Sequence, residues 1–180
     1  MILTNAPLRV SFLGGGTDFP SWFQNREGMV ISTTIDQSVN IIISKLAPIW
    51  ETKYKFSYSQ LETVNHVDDI KHPLIRHCIN EHADKDDKLS IIYVSDLPGN
   101  SGLGSSSAFC TGMISGLKKI NGEPELSKHH LSRETIRIER DVLKEVGGWQ
   151  DQITCAYGGF NQIVFKKNSF KVNALNQSFI

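Results

Sequence analysis

The chain has 180 residues, 19 basic and 19 acidic side chains, and 39% hydrophobic residues. This length and composition are typical of one globular domain and exclude disordered and collagen-like classes. The formal net charge of zero disfavours binding to nucleic acid or to a membrane surface. The N-terminal residues lack the pattern of a signal peptide, and we expect a cytoplasmic protein.

Strands and helices are predicted along the whole chain. Runs rich in β-branched residues predict strands near 8–13, 29–35, 39–46, 53–59, 89–95 and 159–165. The stretch "HPLIRHCINEHA" predicts a helix, with a proline near its start and apolar residues at helical spacing. A second helix is expected from the serine run at 105–107 to "KKING", and a third from Ser127 or Ser132 to Val146. This order predicts an α+β domain.

Cysteine and histidine spacing argues against a metal centre built on these residues. Cys78, Cys110 and Cys155 lie far apart in the sequence, without the close pairing of zinc sites or redox dithiols. We expect reduced, buried thiols. The histidines near residues 72–82 are five positions apart, which rotates each one away from the previous one on a helix.

A glycine- and serine-rich segment, "DLPGNSGLGSSSAF", leads into the second predicted helix. Backbone N–H groups at the start of a helix lack intrahelical partners and attract anions, and glycines let the backbone approach a phosphate closely. The segment therefore suits a phosphate, although a flexible turn capped by serine fits its composition equally well. It lacks the ending of a Walker A loop and the glycine spacing of a Rossmann fingerprint.

Two carboxylates could complete a site around such a phosphate. Glu139 shares a predicted helix face with Thr135, Val142 and Val146, and an unpaired charge in an apolar stripe is costly. Either Mg²⁺ held between Glu139 and a loop serine, or a salt bridge to a nearby arginine, would satisfy this charge. Asp151 follows a glycine pair in "VGGWQDQ" and could accept or orient a hydroxyl proton. Its alternative role is to cap a turn.

A third motif, "APLRVSFLGGGTDF", lies near the N-terminus. With "LPGNSGLGSSSA" and "IERDVLKEVGGWQDQ", in this order, it resembles the N-terminal part of the GHMP small-molecule kinases, the family of galactokinase, homoserine kinase and mevalonate kinase. The pattern is most similar to sugar kinases of the D-glycero-D-manno-heptose 7-phosphate kinase type, which share the "APLR…GGGTD" opening and the "QDQ…GGFN" ending. The resemblance covers residues 6–165 and implies a ribosomal-protein-like two-layer α/β sandwich with a left-handed βαβ unit.

The resemblance also implies a role for each matching residue. Ser106 corresponds to the serine that reaches Mg²⁺, and Glu139 to the metal-binding glutamate. Asp151 corresponds to the aspartate that acts as a base or orients the acceptor hydroxyl, and Arg9 to the cation beside it. The implied ATP phosphate loop consists of Pro98, Gly99, Asn100, Ser101, Gly102, Leu103, Gly104, Ser105, Ser106 and Ser107. The implied sugar-binding residues are Gly15, Gly16, Thr17 and Asp18, the last of which is similar to an acid that hydrogen-bonds sugar hydroxyls.

The implied activity is phosphoryl transfer from Mg-ATP to a sugar hydroxyl. Galactokinases carry polar residues where this chain has Gly15 and Gly16, which disfavours galactose and leaves room for a bulkier or phosphorylated sugar. The resemblance to heptose kinases favours the anomeric hydroxyl of a heptose or heptose 7-phosphate as the acceptor. Fucose or another hexose is the alternative acceptor. GHMP kinases also have a C-terminal domain that these 180 residues lack. We therefore expect residues 1–180 to be the ATP-binding N-terminal domain, with that second domain or another copy as a partner. A truncated, non-catalytic nucleotide-binding module is the second interpretation.

Overall fold

The computed structural model describes residues 1–99 and 101–175. The first part of the chain forms β1 (Ile2–Leu13), α1 (Pro20–Phe23), β2 (Gly28–Lys45), β3 (Tyr54–Ser57) and β4 (Leu61–Val64). A 3-10 turn (Val67–Asp69), α2 (Pro73–His82) and β5 (Leu89–Ser95) follow. The remaining elements are α3 (Ser105–Ile120), α4 (Lys128–Ile136), a π-helical segment (Arg137–Val142), α5 (Gln150–Tyr157), β6 (Phe160–Lys166) and β7 (Ser169–Ala174).

The seven strands described form one mixed sheet in the order β4-β3-β5-β2-β6-β7, with β1 also paired to β2. The β3–β5 pair is parallel, whereas β2 is antiparallel to β1, β5 and β6. Helices pack against the sheet, and the predicted two-layer α+β architecture is confirmed. The handedness of the crossover between β3 and β5 stays a prediction.

The long strand β2 organises the sheet because its two halves have different neighbours. Residues 39–45 pair with β5, and residues 28–33 pair with β6. The prediction of two separate strands here is wrong. Residues 36–38, which separate the two predicted strands, lie within one continuous strand of 18 residues, which β1 accompanies on both sides of a register shift after Pro7.

The main core lies between the sheet and the helices α2 and α3. Two glycines on α3 face β2: a Cβ at Gly112 would lie 2.9 Å from Cδ1 of Ile41, and one at Gly116 would lie 2.7 Å from Cδ1 of Ile43. The absence of side chains at these glycines therefore lets α3 lie close to the sheet. This close packing fixes the position of the helix and of the glycine-serine loop that precedes it.

A second core cluster centres on Phe23 of α1. Its ring packs against Trp149 and Phe165, with ring centroids 4.6 and 5.7 Å apart. Because aromatic rings bury a large apolar area, these contacts stabilise the docking of α1 beside β6 and the start of α5. The triglycine segment and the residues around Asp151 are thereby brought to the same end of the molecule.

Several element predictions are confirmed and others are wrong. α3 runs from the serine run to the "KKI" sequence, and β5 spans the predicted residues. The strands β4 and β7 and the helices α1 and α5 were not predicted. The third predicted helix is interrupted, because α4 ends at Ile136 and continues as a π-helical segment to Val142. The helical segment ends at Val142, so the predicted apolar stripe is wrong: Glu139 is buried, whereas Val146 lies beyond the helix and is 95% exposed.

The three cysteines are free and buried, as expected. Within the described residues, the helices are too short or too polar to cross a bilayer.

Candidate functional site

The glycine-serine loop connects β5 to the N-terminal end of α3. Gly102 and Gly104 have φ angles of 74° and 79°, in the left-handed region that glycine adopts readily. Gly104 is the N-cap of α3, and as a glycine it has no side chain to cap the first N–H groups of the helix. These N–H groups and the positive end of the helix dipole form a site suited to an anion. Asn100, which was predicted to belong to this loop, lies outside the described residues.

Arg9 on β1 joins the loop to Asp151 in the first turn of α5. Its Nε and Nη2 donate to the two carboxylate oxygens of Asp151 at 2.8 and 2.6 Å, which makes a bidentate ion pair. Its Nη1 donates to the carbonyl oxygen of Gly102 at 2.8 Å, and its backbone N–H donates to that of Leu103 at 3.0 Å. The structure therefore brings Arg9, Asp151 and the loop together.

Glu139 lies in the π-helical segment, and its carboxylate is buried. Oε1 accepts a hydrogen bond from Ser106 Oγ at 3.0 Å, and Oε2 accepts one from Ser107 Oγ at 2.7 Å. The side-chain amide of Gln152 also donates to Oε2. Arg140 Nη2 is 3.8 Å from Oε2, near the limit of an ion pair. The carboxylate is thus held by three neutral donors, and its charge is only weakly compensated.

This arrangement fits a Mg²⁺ ion, which prefers carboxylate, hydroxyl and other oxygen ligands. The hydroxyl of Ser106 and the carboxylate of Glu139 are adjacent, as the metal prediction requires. The side-chain oxygen of Gln152 is buried without a hydrogen-bond partner among residues 1–99 and 101–175. A cation bound beside Glu139 would compensate the carboxylate charge. Among the described residues, the alternative salt bridge to an arginine is limited to the long contact with Arg140.

The triglycine segment packs against the start of α5 through Asp18. This side chain is buried; Oδ1 accepts from the N–H of Gly16 at 3.0 Å, and Oδ2 accepts from the N–H of Gln150 at 3.2 Å. Burial raises the pKa of Asp18 above its ordinary value, and the hydrogen bonds from Gln150 and Gly16 oppose this rise. The side chain has no exposed surface here, and its predicted contact with sugar hydroxyls stays a prediction.

The other predicted sugar-binding residues differ in accessibility. Gly15 and Gly16 are exposed, and a Cβ at either position would have no neighbouring atom within 4 Å. Thr17 is held in the turn, because its hydroxyl donates to the carbonyl of Gly14 at 2.8 Å and accepts from the N–H of Met29 at 3.0 Å. The open part of this segment is therefore the backbone at Gly15 and Gly16.

A cavity of about 210 Å³ adjoins the first turn of α3. The Phe109 ring lies edge-on to Tyr93 and His72, with ring centroids 4.9 and 5.6 Å apart. Burial lowers the pKa of His72, which favours its neutral ring. Aromatic walls beside a helix N-terminus suit a planar base linked to a phosphate. Sequence reasoning missed this cavity, whose lining residues are Tyr58, Ser59, His72, Tyr93, Ser105, Ser106 and Phe109.

A separate cluster with potential metal ligands involves Glu81, His82 and Glu134, whose ligand atoms lie within 4.8 Å of one another. Arg137 already provides a cation there: its Nε and Nη2 donate to Glu134 at 2.9 and 2.8 Å, and Nη2 also pairs with Glu81. The hydrogen bonds from Arg137, and then from His82, hold the pKa of Glu134 well below its ordinary value. This cluster is therefore an ion-pair network without need of a metal.

The chain is similar in sequence to known kinases. The sequence model of the GHMP kinases N terminal domain matches residues 71–159. D-glycero-alpha-D-manno-heptose 7-phosphate kinase of Campylobacter jejuni is 30% identical over 175 residues, which cover 93% of this chain and 51% of that protein. The bifunctional fucokinase/GDP-fucose pyrophosphorylase of Arabidopsis thaliana is 28% identical over 173 residues, which cover 85% of this chain and 16% of that protein.

A solved structure shares the fold over almost the whole chain. The crystal structure of a D-glycero-D-manno-heptose 1-phosphate kinase from Bacteroides thetaiotaomicron superposes with a TM-score of 0.88 at 25% identity. The match covers 98% of this chain and 60% of that one. The chain thus spans between one half and two thirds of the heptose kinases that it matches.

Proposed function

We propose that the chain forms the ATP-binding N-terminal part of a sugar kinase of the GHMP family. The family model that matches residues 71–159 and the heptose kinases that the chain resembles support this proposal. The reaction is transfer of the γ-phosphoryl group of Mg-ATP to a sugar hydroxyl. The observation that carries this proposal is the convergence of the three sequence motifs. Arg9 and Asp151 form a bidentate pair beside the glycine-serine loop, and two serines of that loop donate to the buried carboxylate of Glu139.

ATP would lie along the N-terminal end of α3. Its phosphates would accept hydrogen bonds from the backbone N–H groups of the loop and of the first helical turn. Its base would enter the aromatic cavity beside Ser105 and Ser106. The cavity and the helix end are contiguous, which is the arrangement that a nucleotide requires.

Mg²⁺ would be held by Ser106 and Glu139. Bound there, the ion neutralises the negative charge of the transferring phosphates. The hydroxyl of Ser107 orients Glu139 by donating to its Oε2.

Asp151 would act on the acceptor. The sugar oxygen attacks the γ-phosphorus as its proton passes to the carboxylate of Asp151, and the bond from phosphorus to the oxygen of the leaving ADP breaks. Arg9 holds both carboxylate oxygens in place, while each oxygen retains a lone pair for the hydroxyl. Arg9 would also stabilise negative charge as the phosphoryl group moves.

The acceptor that we propose is the anomeric hydroxyl of a heptose or heptose 7-phosphate. The exposed backbone at Gly15 and Gly16 leaves room for a large or phosphorylated sugar. The Campylobacter relative is named as a heptose 7-phosphate kinase, which supports this choice. The name of the Arabidopsis relative includes fucokinase, which supports fucose as the alternative acceptor.

The second candidate function is a non-catalytic nucleotide-binding module. It would use only the glycine-serine loop and the N-terminal end of α3, which suit a phosphate. If the protein is a sugar kinase, we propose that a partner completes the site. This partner is either a C-terminal kinase domain or another copy of this chain. We propose that residues 1–180 form the N-terminal domain of the complete enzyme.

Two measurements test these proposals. Calorimetry with Mg-ATP should show binding, and absence of binding would contradict both candidates. Transfer from labelled ATP to heptose, heptose 7-phosphate, fucose and galactose is then measured, with Asp151→Asn as the control. For a sugar kinase, transfer should fall by orders of magnitude in Asp151→Asn while nucleotide affinity changes little. Binding without transfer to any sugar would favour the non-catalytic module.

A further inference from the structure

Gln152 is a buried polar residue to which the kinase resemblance assigns no role. It lies in the first turn of α5, and its side chain is inaccessible to solvent. Its Nε2 donates to Oε2 of Glu139. The orientation of the amide follows from this partner, because an ionised carboxylate only accepts hydrogen bonds and would repel the amide oxygen.

The other end of the same amide lacks a partner. Oε1 of Gln152 is buried and accepts no hydrogen bond from the part of the chain that the structure describes. Buried polar atoms in proteins are nearly always paired, with the protein itself, with water or with a ligand. Since the amide oxygen and nitrogen are bonded to one carbon, this unpaired acceptor also lies at the Glu139 end of the side chain.

Gln152 also follows Asp151 directly in the chain. Consecutive residues on a helix point in different directions, and these two bind different partners: Asp151 binds Arg9, and Gln152 binds Glu139. The first turn of α5 therefore contacts both the carboxylate proposed for the acceptor and the carboxylate proposed for the metal.

We propose that Gln152 is a positioning residue for the metal site. Its Nε2 holds Glu139 in the orientation that binds Mg²⁺, and its Oε1 accepts a hydrogen bond from a water molecule in the coordination shell of the ion. This inference rests on the proposed function. The proposal gives each polar atom of the amide a partner. Nε2 donates to Glu139, and Oε1 accepts from one of the several waters that Mg²⁺ in proteins usually retains. Residues that orient a metal ligand commonly affect metal affinity without touching the ion.

The first test measures Mn²⁺ affinity by electron paramagnetic resonance, in protein saturated with a non-hydrolysable ATP analogue. Gln152→Leu keeps a similar volume and removes both polar atoms. We expect it to weaken Mn²⁺ binding by about 10-fold to 100-fold, the range typical of lost partners of metal ligands. The matched control is Thr154→Val. This change removes a buried hydroxyl on the same helix, one that forms a hydrogen bond with Ser32 and not with Glu139. Its Mn²⁺ affinity should stay within about 2-fold of the wild type.

A second variant tests the proposal if Gln152→Leu fails to fold. Gln152→Glu places a second carboxylate against Glu139, and a cation relieves the repulsion between them. Its melting temperature should rise more steeply with Mg²⁺ concentration than that of the wild type. An equal dependence on Mg²⁺, or unchanged Mn²⁺ affinity in Gln152→Leu, would overturn the role of Gln152. Absence of Mn²⁺ binding by the wild type would instead refute the metal site of the proposed function.

Discussion

The carboxylate of Asp18 accepts a hydrogen bond from the backbone N–H of Gln150 at 3.2 Å, across 132 positions of the sequence. The backbone N–H of Trp149 also donates to the carbonyl oxygen of Asp18 at 3.1 Å. These contacts fasten the triglycine segment to the residue that precedes Asp151. The spacing between the proposed sugar-binding backbone and the proposed base therefore depends on Asp18, through its buried carboxylate and its main-chain carbonyl.

Replacement of Asp18 by asparagine should lower the free energy of unfolding. The amide has one oxygen, so one of the two N–H donors, from Gly16 or Gln150, would lose its acceptor, at a cost of about 1–3 kcal/mol. Urea denaturation measures this loss. Aspartate-to-asparagine exchange at the exposed Asp36 is the control and should change stability by less than about 0.5 kcal/mol.

The same variant tests the raised pKa of Asp18. A carboxyl group with a raised pKa contributes stability that is fully present below its ordinary pKa and is lost as the pH rises through the raised value. The stability advantage of the wild type over Asp18→Asn should therefore be smaller at about pH 7 than at about pH 4. An advantage that is constant or grows with pH would contradict the raised pKa.

Gly148 should not tolerate a side chain. A Cβ at this position would lie 1.8 Å from Oδ2 of Asp18, so Gly148→Ala should displace the buried carboxylate and destabilise the protein by about 1–3 kcal/mol. At Gly15 a Cβ would meet no atom within 4 Å. Gly15→Ala is thus the control and should change the free energy of unfolding by less than about 0.5 kcal/mol. Equal stability of both variants in urea titrations would refute the close approach.

The aromatic cavity predicts a difference between nucleotide and phosphate binding. Tyr93→Leu removes one ring from the wall that contains Phe109 and should weaken ATP binding about 10-fold, because a stacked or edge-on base loses its aromatic neighbour. Inorganic triphosphate has no base, and its affinity should not change. Calorimetry with both ligands makes the comparison. The control is Tyr157→Leu, which removes a ring from the separate cluster with Phe170. If Tyr93→Leu lowered the affinities for ATP and for triphosphate equally, the cavity would not be the site of the base.

Glu134 should stabilise the protein in a pH-dependent manner. Hydrogen bonds from Arg137 and His82 hold its pKa below the ordinary value of 4.5, so its stabilisation is present above that value and is lost as the pH falls. Thermal denaturation should show that the advantage of the wild type over Glu134→Gln shrinks below about pH 4.5. The exposed pair of Glu125 with Lys119 provides the control, Glu125→Gln, which should have little effect at any pH.

Local sequence patterns were sufficient to predict some of the helices and strands. The serine run and "KKING" predicted both ends of α3, because helix caps and dipole preferences involve residues close in sequence. The third helix was predicted too long because its π-helical turn around Glu139 is not encoded by a local breaker. β7 was missed, since its short polar sequence becomes a strand only through pairing with β6.

The sequence by itself determined the α+β class, the order of the three motifs and the identity of Arg9, Ser106, Glu139 and Asp151 as candidates. Only the tertiary structure decided which of these residues meet, that Asp18 is a buried connection, and that Gln152 contacts Glu139. Motifs depend on residues near one another in the chain. Burial and hydrogen-bond partners depend instead on how β1, α3, the π-helical segment and α5 pack together, which no single segment specifies.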